Sequence, residues 1–166
     1  SQVSSGTRIS KHVLSDYARL CLRLPSYPMV SMKTTSLSTA DIAYIDQGTG
    51  TPVLLVHGFP LDHTMWDAQI NVLAKKYRVI APDLRGFGKS PLGTIDSAQG
   101  ISMEQYADDL AELLDKLEVR EPIVLVGFSM GGYVAWQFVR KHAARLRALV
   151  QCDTRAVADT VTGTLY

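Results

Sequence analysis

The stretch PIVLVGFSMGGYVAW, residues 122–136, decides the fold. Ile123 to Val126 form a short apolar run without alternation, which is typical of a strand buried on both faces in a parallel sheet. The apolar residues that follow Gly132 fit a buried helix. A single serine, Ser129, lies between the two. The stretch therefore predicts a strand, a tight turn that carries Ser129, and a helix.

Two glycines flank this serine at equal spacing. Gly127, Ser129 and Gly131 fit the pattern G-x-S-x-G, in which a serine occupies a sharp strand-to-helix turn. The turn strains the backbone and needs neighbours without a Cβ atom. The hydroxyl then lies at a helix N-terminus, where the Met130 amide and the helix dipole favour developing negative charge. A merely polar turn is the alternative, but the buried strand and apolar helix around it favour a nucleophile.

Length and composition limit the range of functions. The chain has 166 residues and a net charge of +1, enough for one domain with a core. Mixed charges argue against binding of nucleic acid or an anionic membrane surface, and no apolar run approaches the roughly 20 residues of a membrane span. Cys21 and Cys152 give neither a disulfide framework nor metal-ligand spacing, so no metal or cofactor is expected. We expect a cytoplasmic protein.

The first 31 residues differ from the rest. Residues 1–31 are rich in serine and basic residues, with Asp16 as their only acid. We interpret them as an N-terminal extension, with a transit peptide as the alternative. A domain-like pattern begins at Met32, so residues 32–166 are expected to form one unit.

Within that unit strands alternate with helices. A helix is predicted from about Met65 to Ala74, and a second after Ser102 and Gln105, which fit a capping box. The predicted strands are KTTSLS (33–38), DIAYID (41–46), VLLV (53–56), YRVIA (77–81), the strand before Ser129, and LRALVQC (146–152). This alternation predicts an α/β fold with a mostly parallel sheet and helices on both faces.

Four polar residues follow predicted strands directly. Because ligands of such sheets bind at the carboxyl ends of the strands, we expect the four to face one edge. They are His57, Asp83, Ser129 and Asp153.

Four stretches together resemble the α/β-hydrolase fold family. They are HGFP (57–60), DLRGFGKS (83–90), GFSMGG (127–132) and CDT (152–154), in the order and spacing of that family. The closest resemblance is to bacterial enol-lactonases, carboxylesterases and cofactor-free haloperoxidases or perhydrolases. It implies an eight-stranded sheet in which only the second strand is antiparallel, here truncated after the sixth strand. It also implies a serine hydrolase that acts on a small ester or lactone through an acyl-serine intermediate.

The same resemblance implies roles for individual residues. Ser129 would be the nucleophile, and the backbone N–H groups of Phe59 and Met130 would form the oxyanion hole. His57 would brace the oxyanion loop, and Asp83 would shape a loop without taking part in the chemistry. Serine at this turn argues against the dehalogenase and epoxide-hydrolase branches, which use aspartate there.

A base for Ser129 is harder to find. In this fold the acid and the histidine follow the serine along the chain. His142, the only later histidine, lies about 20 Å away at the far end of a helix. His63 is a weak candidate for a substitute base. Asp153 is a weak candidate for the acid, and its alternative role is in a turn or helix cap. We therefore predict that the base lies outside this chain.

This prediction leaves three interpretations open. The chain could belong to an active serine hydrolase, be a catalytically inactive truncated or binding module, or be one half of a split enzyme. The apolar last strand has no predicted successor, so we expect self-association or a partner chain there.

Overall fold

A computed structural model describes residues 31–94 and 100–155. Most of the predicted N-terminal extension lies outside these residues. Six strands are described: β1 (Lys33–Ser36), β2 (Asp41–Gln47), β3 (Pro52–Val56), β4 (Arg78–Pro82), β5 (Ile123–Phe128) and β6 (Leu146–Cys152). Three α-helices accompany them: α1 (Asp67–Leu73), α2 (Met103–Lys116) and α3 (Met130–His142). Short 3-10 segments, His63–Trp66 and Ala143–Arg145, flank α1 and α3.

The strands form one sheet in the order β1-β2-β4-β3-β5-β6. Strand β2 runs antiparallel to both of its neighbours, β1 and β4. The pairs β3–β4, β3–β5 and β5–β6 are parallel. The prediction of a mostly parallel α/β sheet is confirmed.

Helices cover both faces of this sheet. Side chains along a buried strand point alternately to opposite sides, so both faces carry apolar side chains that helices bury. In β3, Leu54 and Val56 join the larger core cluster, which includes buried apolar side chains of α2 and α3. Val53 and Leu55 join a smaller cluster beneath α1. The apolar run of β3 is thus buried on both sides, whereas in β5, for which the sequence predicted burial on both faces, buried and half-buried residues alternate.

Two local details differ from the sequence-based expectation. The predicted helix 65–74 begins instead as the 3-10 turn His63–Trp66, capped by the Asp62 carboxylate, which accepts the Thr64 N–H at 2.9 Å. The capping box before α2 is half formed. Ser102 Oγ accepts the Gln105 N–H at 3.1 Å, but the Gln105 side chain donates to Asp109.

Asp109 is part of a buried ion pair that anchors the loop after β4. Arg85 donates two hydrogen bonds of 2.6 Å to the Asp109 carboxylate and one to Thr39. Both members of the pair are almost fully buried. A bidentate arginine–carboxylate contact has a fixed planar geometry, so it sets the position of the loop 83–90 against α2.

Candidate active site

The sheet register brings the predicted residues to one edge. Val56 pairs with Gly127, and Phe128 pairs with Cys152. Extended by one or two residues, this register places Gly58 and Asp153 on either side of Ser129. A Cβ atom on Gly58 would lie 3.1 Å from the Ser129 Cβ. The loop that carries Phe59 therefore starts directly beside the serine.

Ser129 has a strained backbone. It occupies the N-cap of α3 with φ 50° and ψ −114°, a region that non-glycine residues rarely adopt. Its N–H donates to the Cys152 carbonyl at 3.0 Å, and its carbonyl accepts the Thr154 hydroxyl at 2.9 Å and the Gly132 N–H at 2.9 Å. Strain of this kind persists only where the surroundings over-determine it, as they do at functional sites.

The two glycines of the turn permit a close backbone approach. A Cβ atom on Gly127 would lie 2.5 Å from the Gly131 carbonyl oxygen. One on Gly131 would lie 2.6 Å from the His57 carbonyl oxygen. Real Cβ atoms do not tolerate such distances, so the predicted need for small residues at both positions has a direct structural cause.

The two predicted oxyanion donors lie at the start of α3 and in the loop beside Ser129. Met130 is the first residue of α3, so its N–H has no partner within the helix. Phe59 follows Gly58 in the adjacent loop, and its 68% exposed side chain meets Phe87 edge to face, with ring centroids 5.9 Å apart. The role of these amides stays a prediction.

His57 is fully buried and holds neighbouring loops together. Its Nε2 accepts the Leu84 N–H at 2.9 Å, which requires this nitrogen to be unprotonated. Nδ1 then carries the hydrogen and donates to the Gly58 carbonyl at 2.9 Å. Burial lowers the pKa of His57, although the Gly58 carbonyl and the nearby Asp83 oppose this shift. These contacts match the bracing role that the sequence suggested.

The other histidines in the described part of the chain bind carboxylates. His63 Nδ1 lies 2.7 Å from Asp83 Oδ1, and Asp83 follows β4, two strands from Ser129. Adjacent strands are about 4.8 Å apart, which puts the start of the Asp83 loop about 10 Å from Ser129 along the sheet, while His63 lies in the 3-10 turn after β3. His142 ends α3, where its Nε2 contacts Asp108 Oδ1 at 3.0 Å. The described hydrogen bonds of both rings go to carboxylates and not to Ser129.

Asp153 lies level with Ser129 on the neighbouring strand. Its backbone is left-handed, with φ 45°, and the residue is exposed. Aspartate tolerates this conformation better than most residues, which fits a turn role at the end of β6. Its role as an acid stays a prediction.

One group of side chains has the spacing of a metal site. Ligand atoms of Asp62, His63 and Asp83 lie within 4.8 Å of one another. However, Asp62 Oδ1 accepts from Thr64, and both Asp83 oxygens accept hydrogen bonds from the protein. A cation would have to displace these contacts.

Sequence reasoning missed the Asp83–His63 contact. The two residues are 20 positions apart, and neither belongs to a local motif that would pair them. A signal existed in the topology, because β3 and β4 are parallel neighbours and the loops after them must meet. The same reasoning would have found the support that Thr154, after β6, gives to Ser129.

Comparison with known proteins agrees with this arrangement. Residues 51–163 match the family model described as alpha/beta hydrolase fold. The chain belongs to the α/β-hydrolase fold family. This confirms the resemblance that the four sequence stretches suggested.

Relatives within the family carry several activities in their names. A putative non-heme chloroperoxidase of Synechocystis sp. is 39% identical over 118 residues, which cover 70% of this chain and 41% of that protein. A thermophilic esterase from Thermogutta terrifontis is 50% identical with a TM-score of 0.69, over 81% of this chain and 49% of the esterase. The N-acyl homoserine lactonase AidH, complexed with N-butanoyl homoserine, is 33% identical with a TM-score of 0.71, over 78% of this chain and 47% of the lactonase.

This α/β-hydrolase chain thus spans less than half the length of these relatives. Within residues 31–94 and 100–155, the helices are too short or too polar to cross a bilayer.

Proposed function

We propose that Ser129 is the nucleophile of a serine hydrolase that acts on a small ester or lactone. The observation that carries this proposal is the strained Ser129 backbone between β5 and α3, level with the glycine that begins the Phe59 loop. The esterase and lactonase among the similar structures support the substrate class. Similar proteins also include an epoxide hydrolase, but serine at this turn favours acyl transfer.

The proposed reaction follows the geometry of the edge. The Ser129 hydroxyl attacks the substrate carbonyl, and the resulting oxyanion accepts hydrogen bonds from the Phe59 and Met130 N–H groups. Collapse of this intermediate releases the alcohol and leaves an acyl-serine, which water then hydrolyses. The Met130 amide belongs to the first turn of α3, and the Phe59 amide to a loop whose start is anchored by His57, so both are held in place before charge develops.

The base comes from outside the described residues. A serine hydroxyl without a base is a weak nucleophile at neutral pH. In the described part of the chain, both ring nitrogens of His57 bind backbone groups, and the hydrogen bonds of the His63 and His142 rings are with Asp83 and Asp108 and not with the Ser129 hydroxyl. We infer that a histidine on a further segment or on a partner chain completes the site.

A chimera tests this proposal. Residues 31–155 would replace the matching half of the thermophilic esterase, whose remaining half supplies the missing strands. We expect the chimera to hydrolyse p-nitrophenyl acetate, and its Ser129→Ala variant to lose at least ~10³-fold in kcat. The 166-residue chain alone should resemble that variant, since the proposed base lies on a further segment or partner chain.

Two outcomes would contradict the proposal. One is a chimera that melts cooperatively but shows no turnover dependent on Ser129. The other is ordinary turnover by the chain alone, which would mean that it contains its own base. His63→Asn would then be the first variant to measure.

We also infer that the edge of β6 binds another polypeptide. In the described part of the chain β6 pairs with β5 alone, and Val150 on β6 is 43% exposed. An unpaired apolar edge offers free backbone groups to a further strand.

A further inference from the structure

Asp83 is a fully buried carboxylate that accepts three hydrogen bonds. Oδ1 accepts from the His63 backbone N–H at 2.8 Å and contacts His63 Nδ1 at 2.7 Å. Oδ2 accepts from the Lys89 N–H at 2.8 Å. Burying a carboxylate costs free energy unless its hydrogen bonds are satisfied, so this arrangement constrains the loops around it.

The hydrogen bonds fix the protonation of the His63 ring. Asp83 Oδ1 already accepts the His63 backbone N–H, so it acts as an acceptor. The ring nitrogen that it contacts must therefore donate, which places a hydrogen on Nδ1. His63 thus donates two hydrogen bonds to Asp83, one from its backbone and one from its ring.

These contacts clamp the loop that carries Phe59. At the start of the loop, His57 accepts the Leu84 N–H, and at its end His63 binds Asp83. Both anchors come from the segment that follows β4. Between them, the Leu61 N–H donates to the Gly58 carbonyl at 2.9 Å and closes the turn.

We propose that His63 is a positioning residue of the oxyanion hole, acting through Asp83 to hold the Phe59 amide beside Ser129. This inference rests on the proposed function. It is an alternative to the sequence-based idea of His63 as a substitute base, in which Asp83 would orient the ring through Nδ1 and Nε2 would have to reach the Ser129 hydroxyl.

Two substitutions at His63 separate positioning from proton transfer. Asparagine carries an N–H donor one bond beyond Cγ, as histidine does at Nδ1, but it cannot act as a base. Leucine has a similar branched shape without the donor. A positioning role predicts that His63→Asn behaves like the parent and that His63→Leu does not, whereas a base predicts loss in both.

His142 provides a matched control. It also contacts a carboxylate, Asp108, but it lies at the C-terminal end of α3, whose 13 residues place it about 20 Å from Ser129. His142→Asn and His142→Leu remove the same groups far from the site. Neither should change the chemistry at Ser129.

Amide hydrogen exchange in the 166-residue chain measures the clamp without requiring catalysis. In His63→Leu we expect exchange at Leu61 to accelerate at least ~10-fold, because its bond lies within the loop, while exchange at Ala135 in α3 stays unchanged. In His63→Asn, Leu61 should exchange within ~3-fold of the parent, since the donor remains. Unchanged Leu61 exchange in His63→Leu would overturn the inference.

The rate at which a small fluorophosphonate phosphonylates Ser129 measures how the loss of the His63–Asp83 contact affects the oxyanion hole. We expect His63→Leu to slow labelling by ~10- to 100-fold, as a misplaced oxyanion donor would, and His63→Asn to restore it. Equal loss in both variants, or equal loss in His142→Leu, would overturn the inference. Labelling is also measured in the chimera, whose second half supplies the base that this chain is proposed to need. If Ser129 is unreactive in the folded chimera, the proposed function fails, whereas unchanged Leu61 exchange in His63→Leu overturns the clamp alone.

Discussion

At the scale of single residues, the site depends on groups held in unfavourable states. Ser129 keeps a left-handed backbone because Cys152 and Thr154 bind its backbone groups. His57 stays neutral because its Nε2 must accept the Leu84 N–H. Each state costs free energy locally and is stabilised by neighbouring strands, so the site exists only in the folded sheet.

The buried state of His57 predicts a pH dependence of stability. Its pKa is lowered by burial from an ordinary value of 6.5, so below that pH the unfolded chain binds a proton that the folded chain resists. The free energy of unfolding should therefore fall as the pH drops below 6.5, by about 1 kcal/mol between pH 7 and 5.5. Urea denaturation at several pH values measures this loss.

Variants assign the effect to His57. His57→Gln should be less stable at pH 7 but should lose less on acidification, whereas His142→Gln should keep the parent slope. Asp62 and Asp108 do not interfere, because their pKa values are lowered from 3.8 and their contributions are lost only in more acidic solution. The same slope in His57→Gln and the parent would contradict this explanation.

At the scale of elements, the site is built where β5 meets α3. The helix starts immediately after the strand, so its first turn lies against the end of β3, which pairs with β5. Gly131 makes this packing possible, because a side chain there would meet backbone atoms of Val56 and His57.

Gly131→Ala should therefore be costly. We expect a loss of about 3 kcal/mol in the free energy of unfolding, since backbone cannot move aside for a methyl group as a flexible side chain can. Gly100→Ala is the control. It adds the same methyl group where no atom of the described residues lies within 4 Å, but at φ 69°, which should cost about 1 kcal/mol. Equal losses in urea denaturation would contradict a packing role for Gly131.

Features that belong to a single element could be predicted from the sequence, whereas contacts between elements could not. The strand–serine–helix stretch predicted the parallel sheet and the turn, because buried strands and tight turns leave local patterns in composition. The Asp83–His63 and Arg85–Asp109 contacts were not predicted, because they join residues brought together only by strand order. The sequence shows that His63 follows β3, which makes it a candidate base, but it does not show that Asp83 is the partner of the ring.

At the scale of the whole molecule, the apolar strand β6 forms one edge of the described sheet. Every residue of β6 is half-buried or exposed, whereas β3 is buried throughout. The relatives are about twice as long as the matched region, so their sheets have further chain with which to cover the equivalent strand.

A charge on this edge should reduce association. We expect the 166-residue chain to self-associate with rising concentration in sedimentation velocity, and Val150→Lys to shift it towards monomer. Val72→Lys is the matched control, because Val72 is 63% exposed on α1, away from the edge. A parent chain that stays monomeric at high concentration, or equal effects of both substitutions, would contradict the role of the β6 edge.

The central claim is that the fold presents Ser129, among all its serines, as a nucleophile. The most direct measurement is peptide mapping by mass spectrometry after long exposure of the folded chain to a small fluorophosphonate. Slow labelling confined to Ser129, absent from Ser129→Ala and lost after unfolding in urea, is the predicted result, because only the folded turn places its hydroxyl beside the oxyanion donors. Label spread over surface serines, or equal labelling of Ser129→Ala, would contradict the claim.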